Sequence, residues 1–341
     1  MTTGAVMAAE MAEQPAILRR LIGRRPDLLA HLRKVLAPVP MRVVIVARGS
    51  SDHAAIYGRY ILEHATRTPV ALAAPSLHTR YRVDTDYRGY LAIAASQSGR
   101  TPEIVATLEQ MRARGAVAIA ITNDAESPLA QAADVALGLD AGPERAIPAT
   151  KTFTAQLAIF ALLAEAIGPV PWTPADWQTV VPAVEAALSD RAAADPVAAG
   201  IGDARAAVVL ARGYLFSVAL EAALKLKETT SLLAWADSTA DFRHGPIAVV
   251  DSQLPVLALS AKGPCEADVA DIARDIRARG GRVFSIADTA GADLPTAPGV
   301  AEALATIPAA VRAQQLALAL ARYRGLDADA PAGLSKITAT G

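Results

Sequence analysis

Residues 43–63 read VVIVARGSSDHAAIYGRYILE, and residues 207–228 read AVVLARGYLFSVALEAALKLKE. Each begins with a short apolar run, turns through Ala-Arg-Gly, and continues with the spacing of a helix. A buried strand, a tight loop and a helix together form the opening unit of a parallel α/β sheet. Aligning Ala47-Arg48-Gly49 with Ala211-Arg212-Gly213 sets an offset of 164 residues. At that offset LAIAASQSG (91–99) meets PVLALSAKG (255–263), with Ser96 on Ser260 and Gly99 on Gly263. One residue further on, RARGAVAIAITND pairs Arg112–Gly115 with Arg277–Gly280. Three matches in order, at nearly constant spacing, indicate an internal duplication.

The first copy places short apolar strands at Arg42–Val46, Leu91–Ala95 and Val117–Ile121, separated by helical stretches of about a dozen residues, as parallel pairing requires. The fold class is therefore α/β, with two tandem doubly wound parallel-sheet modules behind a helical N-terminal arm. The expected boundaries are 1–40 for the arm and 41–195 for the first module with its linker helix. The second module, 196–341, carries the charged helix and a C-terminal tail.

Composition narrows the function classes. The chain has 341 residues, 52% hydrophobic and 20% charged, with a formal net charge of −1. Neither nucleic acid nor an anionic membrane is an expected partner, and any anionic ligand must be held by local donors. The single cysteine, Cys265, excludes an internal disulfide and any multi-cysteine metal site. No His/Asp/Glu cluster has metal-ligand spacing, and no cofactor is expected. Neither a signal peptide nor an apolar run of about 18 residues is read, so the expected location is cytoplasmic.

Hydroxyl-rich loops mark where an anion would sit. SQSGRTPE (96–103) follows a strand and opens a helix, with Thr101 at the N-cap and Pro102 in the first turn. RGSSDH (48–53) repeats that arrangement, and GPERAIPATKT (142–152) forms a third loop. Ligands of open parallel sheets bind at the carboxyl ends of strands against helix N-termini. The dinucleotide fingerprint and the Walker motif are both absent, which favours a phosphate monoester. In the second copy Ser50-Ser51 become Tyr214-Leu215 and Gln97-Ser98 become Ala261-Lys262. Helix capping alone gives no reason for that loss, whereas a single phosphate site in the first module does.

The second copy holds a different signal. Glu221, Lys225 and Glu228 fall at i, i+4 and i+7 on one helix face, and FRHGP follows with His244. A charged stripe ordinarily faces water. Lys225, one turn from Glu228, can also hold that carboxylate ionised.

RGSSDHA, SQSGRT, AGPERAIPATKTFTAQL, EAALKLKE and FRHGP, in this order, resemble the sugar isomerase (SIS) domain family, whose modules are flavodoxin-like. The resemblance is to the isomerase half of glucosamine-6-phosphate synthase, and more closely to free-standing amino-sugar-phosphate deaminases. It implies that Ser50, Ser51, Ser96, Gln97, Ser98 and Thr101 hold the sugar phosphate, with Ile147 and Ser335 also at the substrate. It implies that Glu228 moves a proton between C1 and C2, supported by Lys225, that His244 opens the ring, and that Lys336 matches an imine-forming lysine. His244 would serve the neighbouring subunit, so a homodimer with shared sites is implied.

The sequence begins MTTGAVMAAE, without the synthase's N-terminal cysteine or glutaminase domain, so ammonia transfer from glutamine is not expected. Arg48, His53 and Ala149 stand where the synthase usually has cysteine, asparagine and serine. The leading expectation is an isomerising deaminase of a hexosamine 6-phosphate, most simply glucosamine 6-phosphate to fructose 6-phosphate plus ammonia. A fructosamine-6-phosphate deglycase, a plain aldose–ketose isomerase and a non-catalytic sugar-phosphate sensor are the alternatives.

Overall fold

The computed structural model describes residues 3–37 and 42–336. Three helices open the chain: α1 (Ala5–Ala12), α2 (Gln14–Gly23) and α3 (Arg25–Val35). The described residues form two compact units. One comprises 16–37, 42–143, 151–171 and 335–336; the other comprises 3–15, 144–150 and 172–334.

The first unit is built on a five-stranded parallel sheet of order β2-β1-β3-β4-β5. Its strands are β1 (Arg42–Val46), β2 (Val70–Leu72), β3 (Tyr90–Ala95), β4 (Val117–Thr122) and β5 (Val135–Gly138). Between them run α4 (Ser50–Thr66), α5 (Pro75–Thr79), α6 (Pro102–Ala113) and α7 (Pro128–Ala132), and α8 (Lys151–Ile167) follows. Val44, Val46, Ala92 and Ala94 point to the same face and pack with Ile104, Leu108 and Met111 of α6. The alternate residues Val43, Ile45, Leu91 and Ile93 are buried as well, so both faces are covered and the strands consist of nearly continuous apolar residues.

The second unit carries a five-stranded parallel sheet of order β10-β9-β8-β6-β7. Two helices, α9 (Trp177–Ser189) and α10 (Ala194–Ile201), lead into β6 (Ala206–Ala211), α11 (Phe216–Thr230), β7 (Leu233–Ser238) and α12 (Thr239–Arg243). Then come β8 (Pro255–Leu259), α13 (Glu266–Ala278), β9 (Arg282–Ala287), β10 (Leu294–Pro295) and α14 (Glu302–Tyr323).

The duplication read from the sequence extends to strand register. Val44 pairs with Ala92 across β1 and β3, and Val208 pairs with Val256 across β6 and β8, each partner displaced by the same 164 residues. Leu91 pairs with Val117, and Pro255 with Arg282. Packing follows suit: Val208, Leu210 and Val256 meet Ile272 and Ile276 of α13.

Among the described residues α14 alone has the length and hydropathy of a membrane span, and 94% of its apolar window is buried in the fold. The sequence reading found no such run because Arg312, Gln314 and Gln315 interrupt it. Those groups are satisfied internally: Arg312 donates to the carbonyls of Pro295 at 2.7 Å and Asp190 at 2.7 Å.

Candidate functional site

In the first unit the chain leaves β1 toward β2 on one side and runs from β3 to β4 on the other. The crevice at their carboxyl ends is the topological switch point of the sheet, where parallel α/β folds bind ligands. The loop after β1 turns at Gly49, whose φ of 59° and ψ of −135° suit only glycine, and delivers Ser50 and Ser51 to the first turn of α4. The loop after β3 carries Ser96 to Thr101 onto the start of α6. Gly99 sits at φ 62°, and a Cβ there would lie 2.1 Å from Ser127 Oγ and 2.7 Å from Thr122 Oγ1. Only glycine closes this loop.

Neither Gly49 nor Thr101 makes a side-chain cap, so Thr101 occupies the expected N-cap position without using its hydroxyl there. Its Oγ1 instead lies 3.5 Å from Ser96 Oγ. The serines follow a common pattern. Ser51 Oγ accepts from Gln156 Nε2 at 2.8 Å, Ser96 Oγ from the Gly99 N–H at 3.2 Å, and Ser98 Oγ from the Arg100 N–H at 3.2 Å. A hydroxyl whose oxygen already accepts from the protein keeps its hydrogen for another acceptor. Ser51, Ser96 and Ser98 are thus neutral groups able to donate to an anion. Gln97 anchors the loop through its carbonyl, which accepts from the Asn123 N–H at 3.1 Å.

Gln156 was missed in the sequence. Its signal is a lone amide in KTFTAQLAIFALLAEAI, a helix whose every residue but Glu165 is buried. His78, on α5, is buried, with Nε2 3.0 Å from the Tyr87 hydroxyl. Burial pushes its pKa down, although Gln110 works the other way.

In the second unit the charged stripe lies on α11 as the spacing predicts, but it does not face water. Glu221 and Lys225 are 2% and 1% exposed, while the Glu228 side chain is 22% exposed. Lys225 Nζ stands 3.3 Å from Glu221 Oε1 and 2.5 Å from Glu228 Oε2. Burial favours loss of the lysine proton, but the two carboxylates outweigh it and raise the Lys225 pKa. The result is a fixed buried ammonium with one buried carboxylate behind it and one reachable carboxylate in front. The role of Glu221 was not legible, because a stripe at helical spacing does not reveal which of its members is buried.

The remaining candidates occupy separate places. His244, at the C-cap of α12, is exposed on the rim of a cleft of about 510 Å³ lined by Arg212, Thr239, Arg243, Asp268 and Asp275. Ile147 is half-buried in the 144–150 loop, where its N–H donates to the Asp329 carbonyl at 3.0 Å and the Glu10 carboxylate accepts from the Ala146 N–H. Ser335 is exposed, Lys336 is half-buried, and both belong to the unit of the first sheet. Among the described residues no three His, Cys, Asp or Glu side chains converge as a metal site.

The SIS domain profile matches residues 36–166 and 200–320, one copy for each sheet. The chain belongs to the SIS domain family. Its SIS modules are similar to those of a glutamine–fructose-6-phosphate aminotransferase (isomerizing) from Zymomonas mobilis, 34% identical over 358 residues that cover 97% of this chain and 58% of that protein. The chain thus spans a little over half the length of the curated relatives it matches, and it is homologous to their isomerase half. Among solved structures, a protein assigned as a phosphosugar isomerase from Silicibacter pomeroyi shares 33% identity, with a TM-score of 0.80 over 95% of this chain and 99% of that one. The C-terminal domain of glucosamine-fructose-6-phosphate aminotransferase from Francisella tularensis has a TM-score of 0.85 over 96% of this chain and 98% of that one. At 24% identity that second likeness is one of fold.

Proposed function

We propose that this SIS protein isomerises and deaminates a hexosamine 6-phosphate, giving a ketohexose 6-phosphate and ammonia. The observation that carries the reading is the reachable Glu228 carboxylate held 2.5 Å from the fully buried Lys225 ammonium. An aldose–ketose interconversion needs one carboxylate that takes a proton from C2 and returns it to C1. A neighbouring fixed cation orients such a base through a charge-assisted hydrogen bond. The hydroxyl-lined crevice and the phosphosugar isomerase assigned from Silicibacter pomeroyi support a phosphorylated sugar as substrate.

In this reading Ser50, Ser51, Ser96, Gln97, Ser98 and Thr101 bind the phosphate, with Ile147 and Ser335 at the sugar. His244 donates a proton to the ring oxygen as the ring opens. Glu228 removes the C2 proton and returns it to C1, while the amine gives up a proton and O1 gains one, leaving a hydroxymethyl group at C1 and an imine at C2. Water adds to that imine, ammonia departs, and the ketose carbonyl remains, so one water is consumed for each ammonia released. Lys336 forms a transient imine with the ketose. A homodimer in which His244 serves the partner's site completes the proposal.

The deciding assay measures ammonia released from glucosamine 6-phosphate and from its galacto epimer. Release from either supports the reading, and folded protein that turns over neither sinks it. Amine release from a fructosamine 6-phosphate alone identifies a deglycase, aldose–ketose exchange without ammonia a plain isomerase, and binding without turnover a sensor.

A further inference from the structure

The residues assigned to the phosphate are all neutral, yet two carboxylates flank the crevice. Asp52 stands in the first turn of α4 and Glu103 in the first turn of α6. Burial raises the Asp52 pKa, while His53 and Arg48 pull it down. A phosphate monoester dianion entering between two acids is held more tightly where a cation offsets them. Arg100 reaches the other way, its Nη2 2.7 Å from Asp124 after β4, on the side of β3 away from β1. Arg48 remains. It ends the β1 loop immediately before Gly49, and its guanidinium crosses to α6, where Nε and Nη2 lie 3.1 Å and 2.9 Å from Glu103 Oε2. Glu103 is two residues beyond Thr101, so this charge stands beside the turn whose N–H groups open toward the crevice.

We propose that Arg48 is a ligand of the substrate phosphate, its guanidinium shared between that anion and Glu103. The inference rests on the crevice being the phosphate site. An arginine presents five N–H donors in a rigid fork, and Glu103 engages only two of its nitrogens. The guanidinium therefore bridges Glu103 and a second anion without breaking the first pair. Its side chain is 45% exposed, so a ligand reaches it without rearrangement of the core. Arg48 also screens Glu103, whose carboxylate would otherwise repel phosphate from the start of α6.

The test is calorimetric binding of inorganic phosphate to the whole chain. Arg48→Ala weakens binding about 30-fold, in the range of a lost charge-assisted hydrogen bond. Glu103→Gln leaves affinity unchanged or improves it, because the guanidinium then serves phosphate alone. The double variant binds better than Arg48→Ala, since the bare carboxylate is gone. Arg48→Lys, which keeps the charge and loses the fork, falls between wild type and Arg48→Ala and serves if the alanine variant does not fold. Arg48→Ala affinity within twofold of wild type overturns the proposal. So does equal weakening by Glu103→Gln, which would make Arg48 a strut between two loops. If the wild type binds neither inorganic phosphate nor a hexosamine 6-phosphate, the phosphate-site reading falls as well.

Discussion

The two sheets offer the same crevice twice, and the chain fills them differently. In the first, between β1 and β3, the two loops carry Ser50, Ser51, Ser96, Ser98 and Thr101 to the starts of α4 and α6. In the second, between β6 and β8, a Cβ on Gly263 would lie 2.5 Å from Glu302 Oε2, and one on Gly213 would lie 2.9 Å from Cys265 Sγ and 3.9 Å from Glu302 Oε1. The carboxylate at the start of α14 thus packs against the glycines of both loops. Burial pushes Glu302's pKa up, and the Cys265 N–H offsets part of that rise. Burial and Glu302 together raise the Cys265 thiol's pKa. Glu302 Oε1 is buried and lacks a hydrogen-bond partner among the described residues. Topology therefore supplies a crevice for an anion, and loop chemistry decides whether an external one enters. Released from binding, the second unit carries the Glu221–Lys225–Glu228 cluster instead.

This division of labour is open to test, and the largest effect is expected at Glu228. Glu228→Gln should lower ammonia release about 10³-fold, the usual weight of a general base, while inorganic phosphate affinity stays at the wild-type value. If phosphate affinity falls in parallel, the two units are not separable in function. Next come the matched glycines. Gly99→Ala should weaken phosphate binding about tenfold or more, because its φ of 62° and the packed Ser127 hydroxyl both oppose a Cβ. Gly263→Ala, at the duplicated position, should leave phosphate affinity unchanged. Equal losses would mean that both crevices bind.

Subunit mixing sharpens the comparison further. If His244 serves the partner's site and Glu228 its own, co-refolded Glu228→Gln and His244→Ala chains form about half heterodimers, each with one intact site. Roughly a quarter of wild-type activity should then return. Mixtures as inactive as their parents, despite verified exchange, place His244 in its own chain's site.

The smallest effect is thermal. A carboxyl whose folded-state pKa exceeds its unfolded value binds its proton more tightly when folded, so stability falls as pH rises between those two values. Glu302 is such a group. Glu302→Gln should melt about 2 °C higher at pH 8, and the gain should vanish below about pH 4, where the carboxyl is protonated in both states. A gain that persists at low pH, or none at pH 8, contradicts an internal carboxylate buried at a cost.

Much of this molecule was legible in the chain itself. Apolar runs of strand length repeated at an offset of 164 fixed two parallel sheets, because strand pairing is dictated by period and hydrophobicity, both linear properties. The loss of serines from the second copy likewise sets the two crevices apart in the chain itself. What the chain did not disclose depends on which groups meet in space. Helical spacing put Glu221, Lys225 and Glu228 on one face, but a surface stripe and a buried ion cluster share that spacing, and only the packing of α11 buried the first two. Gln156 beneath Ser51, Glu103 on Arg48 and Glu302 in the second crevice come from segments distant in sequence. Their charges and hydrogen bonds acquire meaning only through proximity, and tertiary structure alone supplies that.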